Sequence, residues 1–190
     1  MGLLRVIAGA LAAVLAVVLA PLTHQQSGND PAESGTARLP GDPPTARQRP
    51  LPPQIQPARA VLEQAANRQG VDPDLVLALA WWESGWDQSR VSETGAVGLM
   101  QVQPETADTA GPQLLGRKVD VNNPVDNAEM GTALLKQLLG DTGGDTSLAL
   151  ADYYQGQGSV SNDGVQPDTQ DYVDGILALE QRLKAGQGPP

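Results

Sequence analysis

The segment 81–86 places one acidic side chain, Glu83, among three tryptophans. The apolar residues Val76, Leu79 and Ala80 precede Glu83 at spacings that put them on the same face of a helix. A carboxyl in such surroundings is poorly solvated, which raises its pKa because the charged form is disfavoured. A carboxyl that stays protonated near neutral pH can act as a general acid. The competing interpretation is a solvated surface glutamate near a helix end.

The rest of the composition leaves few other groups for acid–base chemistry. The chain has no cysteine, and its one histidine, His24, lies in a low-complexity stretch. Disulfides, thiolate zinc sites, cysteine nucleophiles and histidine-based triads are therefore excluded. Asp87 and Glu93 follow Glu83 closely, but solvated surface positions are the better interpretation for both.

Three further features suit a sugar site. The tryptophans offer flat apolar faces to pyranose rings, although core packing explains them equally well. In residues 95–104, two glycines three apart allow tight turns near a ligand, and Gln101 offers an amide that donates and accepts hydrogen bonds. In residues 149–160, a hydroxyl of Tyr153 or Tyr154 could hydrogen-bond Glu83 or face positive charge developing at an anomeric carbon. Each of these signals is weak alone.

Together and in this order, the three segments resemble the catalytic domain of lytic transglycosylases of the soluble-transglycosylase (SLT) type, which is similar to goose lysozyme. The resemblance covers about residues 58–183. The family's Glu-Ser pair matches Glu83-Ser84, and its Gly-Leu-Met-Gln motif matches residues 98–101 without change. Its third motif, Ala-Tyr-Asn, matches only in part, because here it reads Asp152-Tyr153-Tyr154.

The resemblance implies a reaction and a role for each residue. Glu83 would protonate the glycosidic oxygen between N-acetylmuramic acid and N-acetylglucosamine in peptidoglycan. It would then deprotonate the muramic acid C6 hydroxyl, which closes onto the anomeric carbon as a 1,6-anhydro product. Tyr153 would be the second catalytic residue, orienting Glu83 or stabilising the oxocarbenium-like centre. The predicted substrate-binding residues are Ser84, Met100, Gln101, Tyr154 and Gln155. No metal and no organic cofactor is implied.

A single carboxyl fits this reaction, whereas ordinary glycosidases use two carboxyls. Asp152, in place of a neutral residue, is expected to raise the pKa of Glu83 further. Two alternatives stay open: a muramidase-type hydrolase on the same fold, or a peptidoglycan-binding module without catalysis. The second is motivated by the departures at Asp152 and Tyr154.

The chain divides into three parts. Residues 1–22 carry one early arginine and then an uncharged, mostly apolar run, which predicts a signal peptide or a retained membrane anchor. Residues 23–56 contain seven prolines and no hydrophobic period, which predicts a disordered linker. Residues 57–190 form the predicted catalytic domain. We therefore expect an exported protein of the cell envelope, secreted or tethered to the membrane through residues 1–22.

The elements that must position the motifs are helices. Asp72 and Pro73 form a cap and first turn for the helix carrying Glu83, and no stretch shows strand alternation. Further helices are predicted over 57–69, 103–109 and 124–139, after Asp145, and after Asp168 as a cap. The predicted fold class is mainly α: a single compact lysozyme-like domain with little or no strand.

Charge limits the partners. Residues 57–190 hold 8 basic and 19 acidic side chains, within a chain whose formal net charge is −10. Such a domain should be repelled by phosphate backbones, so nucleic acid is not an expected partner. The expected partner is the peptidoglycan glycan strand, bound by a monomer.

Overall fold

The structure, a computed structural model, describes residues 55–190, with side chains from residue 57 onward. The predicted signal or anchor, residues 1–22, and residues 23–54 of the predicted linker lie outside the described residues. No helix within the described range is both long enough and apolar enough to cross a membrane.

Residues 55–190 form seven helices and no strand, which confirms the mainly α prediction. The nearest approach to a sheet in this range is a pair of isolated antiparallel bridges, Val91–Val97 and Val97–Val102, between the second and third helices. The helices are α1 Ile55–Gln69, α2 Pro73–Ser84, α3 Pro104–Leu114, α4 Pro124–Asp141, α5 Thr146–Gln155, α6 Gln157–Asp163 and α7 Pro167–Lys184.

Helix α2 is the centre of the fold. Each residue from Leu75 to Ala80 is at most 3% exposed, as expected for a helix that is apolar on every side. It packs against α1 and α7, while α4 packs against α1 and α5. The Asp72 side chain accepts a hydrogen bond from the Asp74 N–H at 2.9 Å, so α2 begins as predicted.

Gly85 ends α2 and thereby fixes the position of Glu83. It adopts a left-handed conformation (φ 67°), and its N–H bonds to the Trp81 carbonyl oxygen at 2.8 Å. Glu83 therefore lies in the last turn of a buried helix, where its side chain meets the neighbouring elements.

Several predicted helix bounds are corrected by packing. Helix α1 begins at Ile55, so it takes the last two residues of the predicted linker. Helix α3 runs to Leu114 rather than 109, because Ala110 and Gly111 are buried against the segment that follows. Helix α4 continues through Gly140 to Asp141.

Two further corrections concern the last third of the chain. The cap of α7 is Gln166, and Asp168 lies in its first turn, where a negative charge also suits the helix dipole. Helix α6 was not predicted, because its sequence is polar and Val160 is its one buried residue.

Candidate active site

Glu83 is a buried carboxyl, with 9% of its surface exposed. Burial raises its pKa to about 7, although a hydrogen bond from Tyr172 and the positive charge of Arg90 both act to lower it. The carboxyl is therefore balanced between its protonated and charged forms near neutral pH, as a group that must both give and accept a proton requires.

Tyr172 of α7 is the hydrogen-bond partner of Glu83. Its hydroxyl donates to Glu83 Oε1 at 2.5 Å, and the tyrosine is only 3% exposed. Burial and the nearby Glu83 charge raise the pKa of this hydroxyl well above its ordinary value, so it remains a donor. The helix predicted after Asp168 includes Tyr172, but the sequence predicts no role for this residue. The available signal was a tyrosine on an apolar helix face, since a buried phenol needs a polar partner.

Tyr153 of α5 does not bind Glu83. It binds the turn with two glycines in residues 95–104, called here the glycine-rich turn. Its hydroxyl donates to the Met100 carbonyl oxygen at 2.9 Å, and its single proton is thereby used. Burial, and to a smaller extent the charge of Glu83, raises the pKa of the Tyr153 hydroxyl well above its ordinary value. Tyr153 and Glu83 are therefore close enough for this charge to act. The predicted direct hydrogen bond to Glu83 is therefore replaced by the one from Tyr172.

Ser84 and Asn127 attach this turn to the helices. The Ser84 hydroxyl donates to the Leu99 carbonyl oxygen at 2.8 Å. Asn127 of α4 is fully buried; its amide donates to the Val97 oxygen at 2.7 Å and its oxygen accepts from the Met100 N–H at 3.0 Å. Ser84, predicted to bind substrate, is thus used to hold the turn. Asn127 was missed, because it reads as an ordinary polar helix residue.

Two more predicted substrate-binding residues serve the scaffold. The Met100 side chain, predicted to contact substrate, is fully buried against Gly131. The Gln155 amide donates to Ser159 and to the Gly164 carbonyl, and its oxygen accepts from two groups at the start of α7, the Gln166 N–H and the Thr169 hydroxyl. Because these four hydrogen bonds occupy the whole amide, Gln155 joins α5, α6 and α7.

Gln101 lies at the edge of the site in a left-handed conformation (φ 46°). Its amide donates to the carbonyl oxygens of Arg90 and Gly98 at 3.2 and 3.0 Å, which holds the two loops together. Gly98 is required here, because at φ 79° a Cβ would lie within 2.6 Å of the Gln88 and Asn127 amides.

A groove begins at Gln101 and Tyr153 and runs between α3, α4 and α5. Its volume is about 610 Å³, including space open to solvent. Among its lining residues none is basic, and Asp152 is the one acidic member. The lining residues are Gln101, Val102, Gln103, Thr106, Leu134, Gln137, Leu138, Asp152, Tyr153, Gly156 and Gln157.

Asp152 does not act on Glu83 as expected. Burial, and then repulsion from Asp141, raise the pKa of Asp152, while a hydrogen bond with Gln157 opposes them. None of the causes that shift the pKa of Glu83 involves Asp152, so the expected effect is corrected. Asp152 faces the groove rather than the candidate acid.

The tryptophans belong to the core more than to a cleft. Trp86 is 3% exposed; its indole N–H donates to the Leu77 carbonyl oxygen at 2.9 Å, and its ring meets Trp81 edge to face at 5.3 Å. Trp82 packs so closely on Gly175 of α7 that a Cβ there would collide with its ring. Of the two interpretations left open, core packing is the one the structure supports.

The two acids that follow Glu83 closely in the sequence lie on the surface. Asp87 and Glu93 are exposed, as expected for solvated acids. Among residues 57–190, no group of three or more His, Cys, Asp or Glu side chains is placed to hold a metal ion.

A helical fold that buries a carboxyl of raised pKa against a hydrogen-bonding tyrosine is the arrangement of a single-acid, lysozyme-like site. Residues 60–174 match the family described as Transglycosylase SLT domain, and the chain belongs to that family.

Named relatives agree with this family. Over 83 residues, the chain is 37% identical to the endo-type membrane-bound lytic murein transglycosylase A of Klebsiella pneumoniae, covering 41% of each chain. It is 32% identical to the peptidoglycan transglycosylase gp16 of Escherichia phage T7, covering 67% of this chain and 10% of that protein. The chain therefore spans less than half the length of these relatives.

Solved structures show the same fold. An inactive mutant of the lytic transglycosylase Slt from Pseudomonas aeruginosa superposes with a TM-score of 0.61 at 25% identity, covering 70% of this chain and 25% of that one. The 70-kDa soluble lytic transglycosylase of Escherichia coli gives a TM-score of 0.60 at 23% identity, covering 68% and 25%. Because the identity to the Escherichia coli enzyme is only 23%, this second similarity is evidence for the fold alone.

Proposed function

We propose that this protein is a peptidoglycan lytic transglycosylase that cleaves the bond between N-acetylmuramic acid and N-acetylglucosamine. The observation that carries the proposal is the buried carboxyl of Glu83, which accepts a hydrogen bond from Tyr172 and whose pKa burial raises to about 7. Membership of the family and relatives named as murein and peptidoglycan transglycosylases support the choice of substrate.

One carboxyl completes the reaction. Glu83 gives its proton to the glycosidic oxygen as the bond from that oxygen to the anomeric carbon breaks. The resulting carboxylate then takes the proton of the muramic acid C6 hydroxyl, whose oxygen bonds to the anomeric carbon. The product is a 1,6-anhydro sugar, and Glu83 is protonated again. No second carboxyl is needed, because water is not the nucleophile.

The two tyrosines support this cycle in different ways. Tyr172 holds the carboxyl through its hydrogen bond to Oε1 and stabilises the charged form that follows the first proton transfer. Tyr153 fixes the turn that carries Gln101, which leads from Glu83 and Ser84 to the groove between α3, α4 and α5. Gln101 remains our candidate for a substrate contact.

The proposed setting is the cell envelope. Peptidoglycan lies outside the cytoplasmic membrane, and some relatives are named as membrane-bound enzymes. Residues 1–22 would supply the export signal or the tether, and the proline-rich stretch after them would give the domain reach along the wall.

The test is a digest of purified peptidoglycan with the full-length protein in water enriched in ¹⁸O, analysed by mass spectrometry. We expect fragments with 1,6-anhydro ends, free of ¹⁸O, that disappear with Glu83→Gln and persist with the exposed-acid control Glu93→Gln. Reducing ends carrying ¹⁸O would instead identify a muramidase. Wall binding without fragments, equal in wild type and Glu83→Gln, would identify a binding module.

A further inference from the structure

Tyr154 stacks on the tyrosine that holds the candidate acid. The ring centroids of Tyr154 and Tyr172 lie 4.5 Å apart, and the ring planes are inclined by 26°. Tyr172 is almost completely buried, whereas Tyr154 is half-buried, so the solvent side of this stacked pair belongs to Tyr154. The ring of Tyr154 therefore lies over the residue that donates to Glu83.

The position of the Tyr172 hydroxyl depends on the tilt of its ring. A tyrosine side chain has two main torsions, and a small rotation about either displaces the hydroxyl at the far end of the ring. Contact with a second ring restricts that rotation, since offset stacked aromatic pairs prefer a defined geometry. The short hydrogen bond to Glu83 Oε1 is thus supported from behind by Tyr154.

The charged and titratable groups around this assembly come from three parts of the chain. Arg90, in the loop after α2, acts on Glu83. On α5, the charge of Glu83 acts on Tyr153 and Tyr154. Helix α7 contributes Tyr172 itself, and also Asp168, whose charge acts on Tyr154.

We propose that Tyr154 is a positioning residue for the reaction: its ring fixes the ring of Tyr172, and Tyr172 in turn fixes the carboxyl of Glu83. This inference rests on the proposed function of Glu83. It also gives a physical reason for the departure in the third motif, because the amide of an asparagine at this position has no ring face to stack on Tyr172.

This role differs from the substrate contact that the sequence predicts for Tyr154. A positioning residue acts on the rate of the chemical step, so its loss lowers kcat and leaves KM nearly unchanged. A residue that binds substrate equally in the ground and transition states does the opposite, and its loss raises KM at constant kcat.

The first measurement compares Tyr154→Ala with Tyr154→Phe in the full-length protein, using a defined glycan-strand substrate. We expect Tyr154→Ala to lower kcat by roughly three- to tenfold, the range that aromatic pair energies correspond to, with little change in KM. Tyr154→Phe keeps the ring and is expected to restore kcat. Should Tyr154→Ala fail to fold, Tyr154→Leu carries the same test, because leucine keeps the apolar volume without a flat face.

The second measurement is independent of activity: an NMR titration of the Glu83 carboxyl, identified by its absence in Glu83→Gln. We expect Tyr154→Ala to raise the Glu83 pKa, because a less constrained Tyr172 donates a weaker hydrogen bond, and this hydrogen bond lowers the pKa in the wild type. The pKa is expected to be unchanged in Tyr154→Phe. If the wild-type protein cleaves no glycan, the proposed function fails, and the titration still decides whether Tyr154 acts on Glu83.

Three results would overturn the proposal. A raised KM with unchanged kcat in Tyr154→Ala would make Tyr154 a substrate contact. Equal losses in Tyr154→Ala and Tyr154→Phe would assign the effect to the hydroxyl rather than to the ring. A Glu83 pKa that is the same in Tyr154→Ala and wild type would show that the stack does not act on the acid.

Discussion

The hydroxyl of Tyr172 donates a hydrogen bond to Oε1 of Glu83, across 89 positions of sequence and between the last helix and the central one. Two opposing effects meet in this pair. Burial favours the protonated carboxyl, whereas the hydrogen bond and the charge of Arg90 favour the carboxylate. Because burial is the largest of these, the pKa settles near 7 rather than near the ordinary value of 4.5.

Replacing Tyr172 by phenylalanine should raise the Glu83 pKa, since it removes a donor that stabilises the carboxylate while the apolar ring stays. The alkaline limb of the kcat–pH profile should move to higher pH, and kcat should fall about tenfold or more, in line with the loss of one positioned donor. The pH–rate profile of Tyr172→Phe measures both effects. A shift of the limb to lower pH would contradict the balance described for Glu83.

Glu83 should make stability depend on pH. Its folded pKa, about 7, exceeds the ordinary 4.5, so between these values the folded protein holds a proton that the unfolded chain has lost. Stability is therefore lost as pH rises through this window, by on the order of 3 kcal/mol in total. Glu83→Gln removes the titrating group.

The melting temperatures of wild type and Glu83→Gln measure this effect. The variant should gain stability relative to wild type at pH 8, and the gain should shrink as the pH falls to 4. Glu93→Gln, at an exposed position, is the control and should show no such trend. A difference between Glu83→Gln and wild type that is the same at both pH values would refute the raised pKa.

The sequence predicts the helix that carries Glu83 better than it predicts the surroundings of the acid. Asp72, Pro73 and Gly85 are local signals, and each acts within one turn of its position. The apolar run between them predicts a buried helix, and the structure buries every residue of it from Leu75 to Ala80.

The partners of Glu83 depend instead on how distant elements pack. Tyr172 reaches the acid only because α7 lies on α2, a contact helped by Gly175, which leaves room for Trp82. Asn127 looks like an ordinary polar helix residue until its buried hydrogen bonds are seen, and Gln155, predicted to bind substrate, instead bonds to residues of α6 and α7. A motif indicates that a residue matters, but its contacts decide whether it faces the substrate or the scaffold.

Asp152 should limit stability at neutral pH. Burial and the repulsion from Asp141 raise its pKa, so its ionised form is disfavoured in the folded state. Asp152→Asn keeps the shape and an oxygen that can accept from Gln157, and it removes the charge. We expect a higher melting temperature than wild type at pH 7, with the difference shrinking as the pH falls toward the ordinary aspartate pKa. A lower melting temperature at pH 7 would mean that the groove depends on this charge.

Two glycines of α4 should respond to the same substitution with opposite signs. A Cβ added to Gly131 would lie 2.5 Å from the Met100 Cβ and 2.6 Å from its sulfur, which leaves the close-packed core no room. A Cβ added to Gly140 would meet nothing within 4 Å. Gly131→Ala should therefore destabilise the fold by about 1–3 kcal/mol through overpacking. Gly140→Ala should stabilise it by roughly 0.5–1 kcal/mol through helix propensity.

Comparing Gly131→Ala with Gly140→Ala also separates the effect on stability from the effect on activity. Met100 carries the carbonyl that accepts from Tyr153 and the N–H that bonds to Asn127, so displacing it moves the turn beside Glu83. Urea unfolding of both variants measures the stability difference, and glycan digestion at a temperature where both are folded measures the site. Gly131→Ala should lose kcat while fully folded, whereas Gly140→Ala should retain it. Equal activity in the two variants would show that the turn tolerates displacement and that Met100 only fills the core.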